Sequence, residues 1–272
     1  MTSFLDNLVL AFYLASFGIH IWYLYTDSSF IGRLGTLCLA GGVVSHYFAL
    51  LSRARAMGGV PYQDFYGSLS LFAWLLAVTY LGIERFHRQR AVAPFVLPFV
   101  IAFVAISTLL APEPAAIQQT KAHGPLFALH VTINILAYAA FALSFVVSLL
   151  YLAQNRWLRD RKLGSVIWRF PALEVLERMS RSSVIVGVTA LSFGMALGFL
   201  WAHRLLGHYV TGDPKEIVSL VVLLVYVLYL RLSRQTAWRG ARACRLCVAC
   251  FFCVIFSYTV VNFYLSSYHR FF

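Results

Sequence analysis

The side chains of this chain best suited to hold a metal or carry protons are eight histidines and five cysteines. Imidazole titrates near neutral pH and is a common metal ligand, so the distribution of histidines is the first test of function. His46, His123, His130, His203, His208 and His269 sit at matching ends of successive apolar segments, whereas His20 and His87 lie toward the opposite ends. A single boundary imidazole usually means a hydrogen bond to a neighbour or to water; six at one rim point to a shared site. Two of them belong to polar stripes. His130, Asn134 and Tyr138 follow i, i+4, i+8 spacing, and Tyr258, Asn262, Ser266 and His269 run similarly, so each set occupies one helix face. Such a stripe serves as interhelical glue or lines a wet interior where Asn or Tyr orients an imidazole. Imidazoles from two helices are also a way to hold haem iron axially.

The cysteines point elsewhere. Cys244, Cys247, Cys250 and Cys253 form a C-x-x-C-x-x-C-x-x-C run. On a helix each three-residue step turns a thiol by about 60°, so the four do not converge on one cluster, and the longer final gap and proline of a ferredoxin run are missing. Small apolar helix residues are the favoured reading. Asp213 and Glu216 flank the start of an apolar run and suit a helix N-terminus. No Ser-His-Asp order, phosphate loop or zinc spacing is present.

The elements that must position these residues follow from composition. Of the 272 residues 61% are hydrophobic and 12% charged, against about 25% charged in soluble domains, which excludes a water-facing exterior and disorder alike. Eight apolar stretches long enough to cross a bilayer as helices fall near 5–25, 31–51, 63–83, 91–111, 125–153, 182–203, 216–232 and 246–266. They are too long for barrel strands. The expected fold is an all-α integral membrane protein, a bundle of eight transmembrane helices in a single polytopic domain over 1–272. The first stretch has neither a basic flank nor a small-residue cleavage site, so it reads as a span and not a signal peptide.

In this arrangement 16 of the 22 basic residues fall in the connections on one side, including Arg85, Arg88, Arg90 and the Arg-rich stretch from Asn155 to Arg181. Lys and Arg collect on the cytoplasmic side, so both termini and the six-histidine rim are expected to face outward. The net charge of +12 is then topological, and no nucleic-acid partner is implied. The 155–181 stretch reads as an amphipathic segment on anionic lipid or a contact surface for a cytoplasmic protein.

Several runs carry a resemblance. Leu173-Glu174-Val175-Leu176-Glu177-Arg178 leads into a glycine-rich span ending Leu197-Gly198-Phe199-Leu200-Trp201-Ala202. Asp213-Pro214-Lys215-Glu216, Trp238-Arg239-Gly240 and a last segment with Tyr258, Asn262 and His269 follow. Upstream lie Leu129-His130-Val131 with Tyr138, and Arg53, Gly59-Val60-Pro61, Tyr66 and Trp74. In this order and spacing they resemble the cytochrome c assembly family of membrane proteins, which includes CcsA-like and HemX-type members.

The resemblance implies a haem b site at the outer face, with His130 and His269 as the iron's axial ligands. Trp201 and Tyr209 would flank the porphyrin, Asn134, Tyr138 and Asn262 would orient the histidines, and Asp213 and Arg204 would complete the site. In CcsA-like members haem is presented with a CcsB-like partner to a Cys-x-x-Cys-His segment of apocytochrome c, so the chain is expected in a bacterial inner membrane as part of a haem-attachment complex. Leu206, Val210 and Gly212 stand where the family carries tryptophans, and Arg231 where larger members have a membrane histidine, leaving His46 with no partner histidine. These departures, with the compact length, favour a divergent member. The alternative is a HemX-type regulator or scaffold of haem biosynthesis without bound haem, meeting a biosynthetic enzyme at its inner loop. A second alternative, a small-molecule transporter, would call for a repeat between halves and broken midmembrane helices, and the polar residues gather at one rim instead.

Overall fold

The computed structural model describes residues 4–57, 60, 64–110, 124–161, 169–209, 214–257 and 259, with Leu206 described by its backbone alone. Among them are eight α-helices and no strand. They are α1 (Phe4–Thr26), α2 (Ser29–Met57), α3 (Phe65–His87), α4 (Ala93–Leu109), α5 (Pro125–Arg159), α6 (Leu173–Leu206), α7 (Pro214–Leu232) and α8 (Ala241–Phe256), with a 3-10 turn at Thr236–Trp238. Each occupies the place of an expected apolar stretch. α1, α2, α3, α5 and α6 are long and apolar enough to cross a membrane.

The described residues gather into two compact units. Unit one contains α1 to α4 and the described residues from Trp157 to Ala172; its helices form a ring, α1 on α2, α2 on α3, α3 on α4 and α4 on α1. The connections inside it are tight. Asp27 turns the chain between α1 and α2 at φ 51°, and Arg88 ends α3 at φ 55°, a left-handed conformation that non-glycine residues adopt singly. Arg169 donates to the carbonyl of Leu24 at 2.7 Å, and Phe170 packs edge-on against Phe95 at 5.4 Å.

Asp64 starts α3. Its Oδ1 accepts the Gly67 N–H at 2.7 Å while its Oδ2 accepts from the Arg53 guanidinium at 2.7 Å. One carboxylate thus caps a helix and holds the end of α2. Losing an N-cap costs about 1 kcal/mol, and the half-exposed ion pair adds little. Asp64→Ala is expected to destabilise unit one by about 1–2 kcal/mol, read as a lower unfolding midpoint in detergent, whereas Asp64→Asn, which keeps a cap oxygen, should lose less than half of that.

Unit two contains α5 up to Arg156 and α6 to α8. α6, α7 and α8 pack on one another, and α5 sends side chains to all three. Phe141 of α5 lies flat on Tyr226 of α7, with centroids 3.8 Å apart and 5° between planes. Phe145 stacks on Phe251 of α8 at 4.6 Å, and the Ser148 and Ser180 hydroxyls of α5 and α6 meet at 2.8 Å. The cysteine run lies within α8, a helix through Cys253, with Cys244, Cys247 and Cys250 buried. Cys247 Sγ is 3.3 Å from Ser144 Oγ. At the start of α8, Gly240 takes φ 73° and donates its N–H to Glu177 at 2.9 Å, tying the 3-10 turn to α6.

Within the 155–181 stretch α5 continues to Arg159 and α6 begins at Leu173, so the helices reach beyond the apolar stretches that predict them. Leu176, Met179, Ser180 and Ser183 are buried, a 3.6-residue pattern that continues the buried face of the membrane helix outward. Hydropathy alone does not see that continuation, because the intervening Glu174, Glu177, Arg178 and Arg181 depress it.

Candidate functional site

The site is built at the ends of α5 and α6 farthest from the Arg-rich connection. His130 and Asn134 lie one turn apart on α5 and face α6, where Gly194 and Gly198 are likewise one turn apart. A Cβ at Gly198 would stand 2.5 Å from His130 Cε1, and one at Gly194 would stand 2.6 Å from Asn134 Oδ1. Only the absence of side chains at these two positions lets the imidazole and carboxamide sink into the α6 surface, the small-residue mode of membrane helix packing.

The imidazole is oriented by that groove. His130 Nδ1 donates to the Gly194 carbonyl at 2.7 Å. A carbonyl only accepts, so Nδ1 carries the proton and the lone pair resides on Nε2. The Asn134 amide donates to the backbone carbonyl of His130 at 2.9 Å and lies 3.4 Å from Nε2. A ring whose far nitrogen is held by a backbone carbonyl is the usual support of a metal-binding histidine. Of the haem iron's expected ligands, the chemistry of this one fits.

The aromatic residues divide between two clusters. Phe127 sits 4.9 Å from Trp201 and 6.2 Å from His130, centroid to centroid, so Trp201 joins the His130 neighbourhood through Phe127. Tyr209 does not join it; it stacks on His203 at 4.1 Å with 7° between planes and is exposed, as is Arg204. Tyr138 continues the stripe and is buried. His269, Asn262 and Asp213 lie outside the described residues, as do Val210 and Gly212 where tryptophans were expected. Among the described residues no three His, Cys, Asp or Glu side chains converge to hold a metal ion.

Two features escaped the sequence reading. Gly194 and Gly198 were legible only as part of a glycine-rich span, because a glycine's role shows only when its neighbour across the interface is known. His46, left there without a partner histidine, is buried and engaged in unit one: its Nδ1 lies 3.2 Å from the Tyr13 hydroxyl and its Nε2 3.0 Å from Ser70 Oγ. Two hydroxyls from α1 and α3 meet both ring nitrogens, which makes it an interhelical fastener.

Comparisons with known proteins identify the family. Residues 62–269 match the family described as Cytochrome C assembly protein. The chain is 29% identical to Protein HemX of Brevibacillus brevis over 191 residues, covering 70% of this chain and 69% of that one. It is 31% identical to Protein HemX of Bacillus subtilis (strain 168) over 171 residues, 61% of this chain and 60% of the relative. Cytochrome c biogenesis protein CcsA of Gloeobacter violaceus is 25% identical over 246 residues, with 70% and 71% covered. Among solved structures, the cytochrome c heme lyase CcmF superposes with a TM-score of 0.60 at 16% identity over 91% of this chain, which spans 44% of that larger protein; this likeness is one of fold.

Proposed function

The chain belongs to the cytochrome c assembly family, and from that premise we propose that this multi-pass membrane protein binds haem b between His130 and His269 at the outer face of a bacterial inner membrane. The observation that carries the reading is the clamp on His130: a half-buried groove of two glycines, a carbonyl on Nδ1 and a carboxamide alongside. His269 is the second ligand, with Asn262 seven residues before it in the sequence. Bound haem supplies the iron and the porphyrin that are to be delivered to apocytochrome c. The chain's own residues bind and orient: Trp201 and Phe127 wall the macrocycle, Tyr138 continues the polar stripe, and Arg204 pairs with a propionate. Tyr209 forms the rim with His203, and Asp213 belongs to the haem-binding set. Both termini face outward, and a CcsB-like membrane protein is the partner in attachment.

A second reading has a specific observation behind it. The HemX relatives reach 29% and 31% identity where the CcsA relatives stand at 25% to 27%, and the tryptophan positions are filled by Leu206, Val210 and Gly212. A HemX-type regulator would engage a haem-biosynthesis enzyme at the Arg-rich face and need no bound haem.

One experiment separates them. The protein purified in detergent, and its His130→Ala and His269→Ala variants, are examined by optical spectroscopy and for co-purifying enzymes. The expected result is a low-spin spectrum of bis-imidazole type that either substitution converts or abolishes. Haem retained unchanged in both variants overturns the ligand assignment; a haem-free wild-type protein that carries a biosynthetic enzyme establishes the regulator.

A further inference from the structure

Unit one buries an acid and a base that the haem site does not use. His20 of α1 is 0% exposed and Glu84 of α3 is 3% exposed. His20 Nδ1 donates to the Ser16 carbonyl at 2.8 Å, and the Ser16 hydroxyl donates to the Gly35 carbonyl at 3.0 Å, so the neutral ring keeps its lone pair on Nε2. Gly35 is required by this placement, since a Cβ there would lie 2.7 Å from His20 Cε1. His20 Nε2 points at Glu84 Oε2 across 3.9 Å, beyond a direct hydrogen bond. Neither atom has a hydrogen-bond partner among the described residues, and the hydroxyl of Tyr80, one turn before Glu84 on α3, lies toward the Glu84 carboxyl.

Leaving a buried polar atom unsatisfied costs about 1–3 kcal/mol, and here two face each other in the same corner of one unit. The rest of the carboxylate is well held. Glu84 Oε1 accepts from the Thr36 hydroxyl at 2.5 Å; Thr36 accepts from Arg90 Nε at 3.2 Å, and Arg90 Nε stands 3.9 Å from Oε1. The ionisable groups around the pair are Tyr23 of α1, with Asp27 beyond it, Tyr80 of α3, and Arg90 of the α3–α4 connection. α2 brings neutral Thr36 while its Arg33 is exposed, and α4 has no ionisable side chain.

We propose that this space is a proton-binding site: one water bridges His20 Nε2 and Glu84 Oε2, and the pair holds a single exchangeable proton inside unit one. A water about 2.8 Å from each atom spans the gap and finds the two to four polar partners that a buried water needs, Tyr80 among them. A proton is favoured over a metal ion because Arg90 already balances the carboxylate and no third ligand converges here among the described residues. The step is a proton transfer only. The proton taken up resides on imidazole nitrogen or on carboxylate oxygen, exchanging through the water, with no other bond made or broken. Because His20, Thr36 and Glu84 belong to α1, α2 and α3, occupancy changes the hydrogen bonding between three helices at the Arg-rich end of the unit. The proposal is independent of haem binding.

The test is infrared difference spectroscopy of the full-length protein in lipid nanodiscs, stepped between about pH 5 and pH 8, for wild type, Glu84→Gln, His20→Asn and Tyr80→Phe. His20→Asn keeps a donor for the Ser16 carbonyl but has no Nε2. In the wild type minus Glu84→Gln difference, a carboxyl C=O band and an imidazole ring band are expected to change together in one step, both shifting in D2O. A water O–H band shifting in H2(18)O should vanish in His20→Asn. Tyr80→Phe removes one hydroxyl and should move both bands' midpoint together, which keeps the test decisive if the other variants do not fold. Independent titration of the two bands, a carboxyl band unaltered by His20→Asn, no difference between wild type and Tyr80→Phe, or a signal removed by a chelator would each overturn the proposal.

Discussion

Gly198→Leu is expected to lower haem content to the level of His130→Ala while leaving the bundle folded. The reason lies in what must yield. The nearest atoms to a new Cβ are those of the His130 ring, at 2.5 Å for Cε1 and 2.8 Å for Nδ1, the mobile end of a side chain and not backbone. The ring swings out, the Nδ1 bond to the Gly194 carbonyl is lost, and Nε2 no longer points where the axial ligand is needed. Loss of one hydrogen bond costs about 1 kcal/mol, so the unfolding midpoint in detergent moves little. A displacement of even about 1 Å is enough to defeat a positioned site. Gly198→Ala should fall between wild type and leucine. Full haem retention in Gly198→Leu would mean that iron is not held by His130.

Phe141→Ala is expected to produce the largest loss of stability, about 3–5 kcal/mol, read from the unfolding midpoint in mixed micelles. The ring is fully buried and lies on Tyr226, itself fully buried. It also rests against Gly187 of α6, where a Cβ would come within 2.4 Å of Cε1, so one side chain fills the junction of α5, α6 and α7. In a bilayer, burial from lipid gives little hydrophobic gain, and packing contacts carry the association of helices. A cavity at this junction is therefore not offset by exposure elsewhere. Near-ultraviolet circular dichroism should report the released tyrosine. A loss below about 1 kcal/mol would show that the junction collapses to fill the space.

Much of the fold was legible before any coordinates. The apolar stretches mark the eight α-helices found among the described residues, five of them long and apolar enough to cross a membrane, because the bilayer requirement is one of length and hydropathy, both local properties. α5 starts at Pro125 and α7 at Pro214, within two residues of the starts expected near 125 and 216. The start of α6 was missed for the complementary reason: Glu174, Glu177, Arg178 and Arg181 interrupt hydropathy without interrupting the helix. Of the site, the His130 and Asn134 stripe was readable from spacing alone, since i and i+4 share a face on any helix. The association of Tyr209 with Trp201 was not readable. Tyr209 stacks on His203 instead, a choice made by the irregular backbone after α6, to which no periodicity applies.

The order of the residues by itself determined that this is a helical membrane protein and which polar side chains share a helix face, because these depend on composition and on fixed periods along one chain. Only the tertiary structure decided that Gly194 and Gly198 admit His130, that hydroxyls engage His46, and that His20 meets Glu84 across helices. Contacts between residues tens of positions apart depend on how helix surfaces interlock, and no property of a single helix encodes its neighbour.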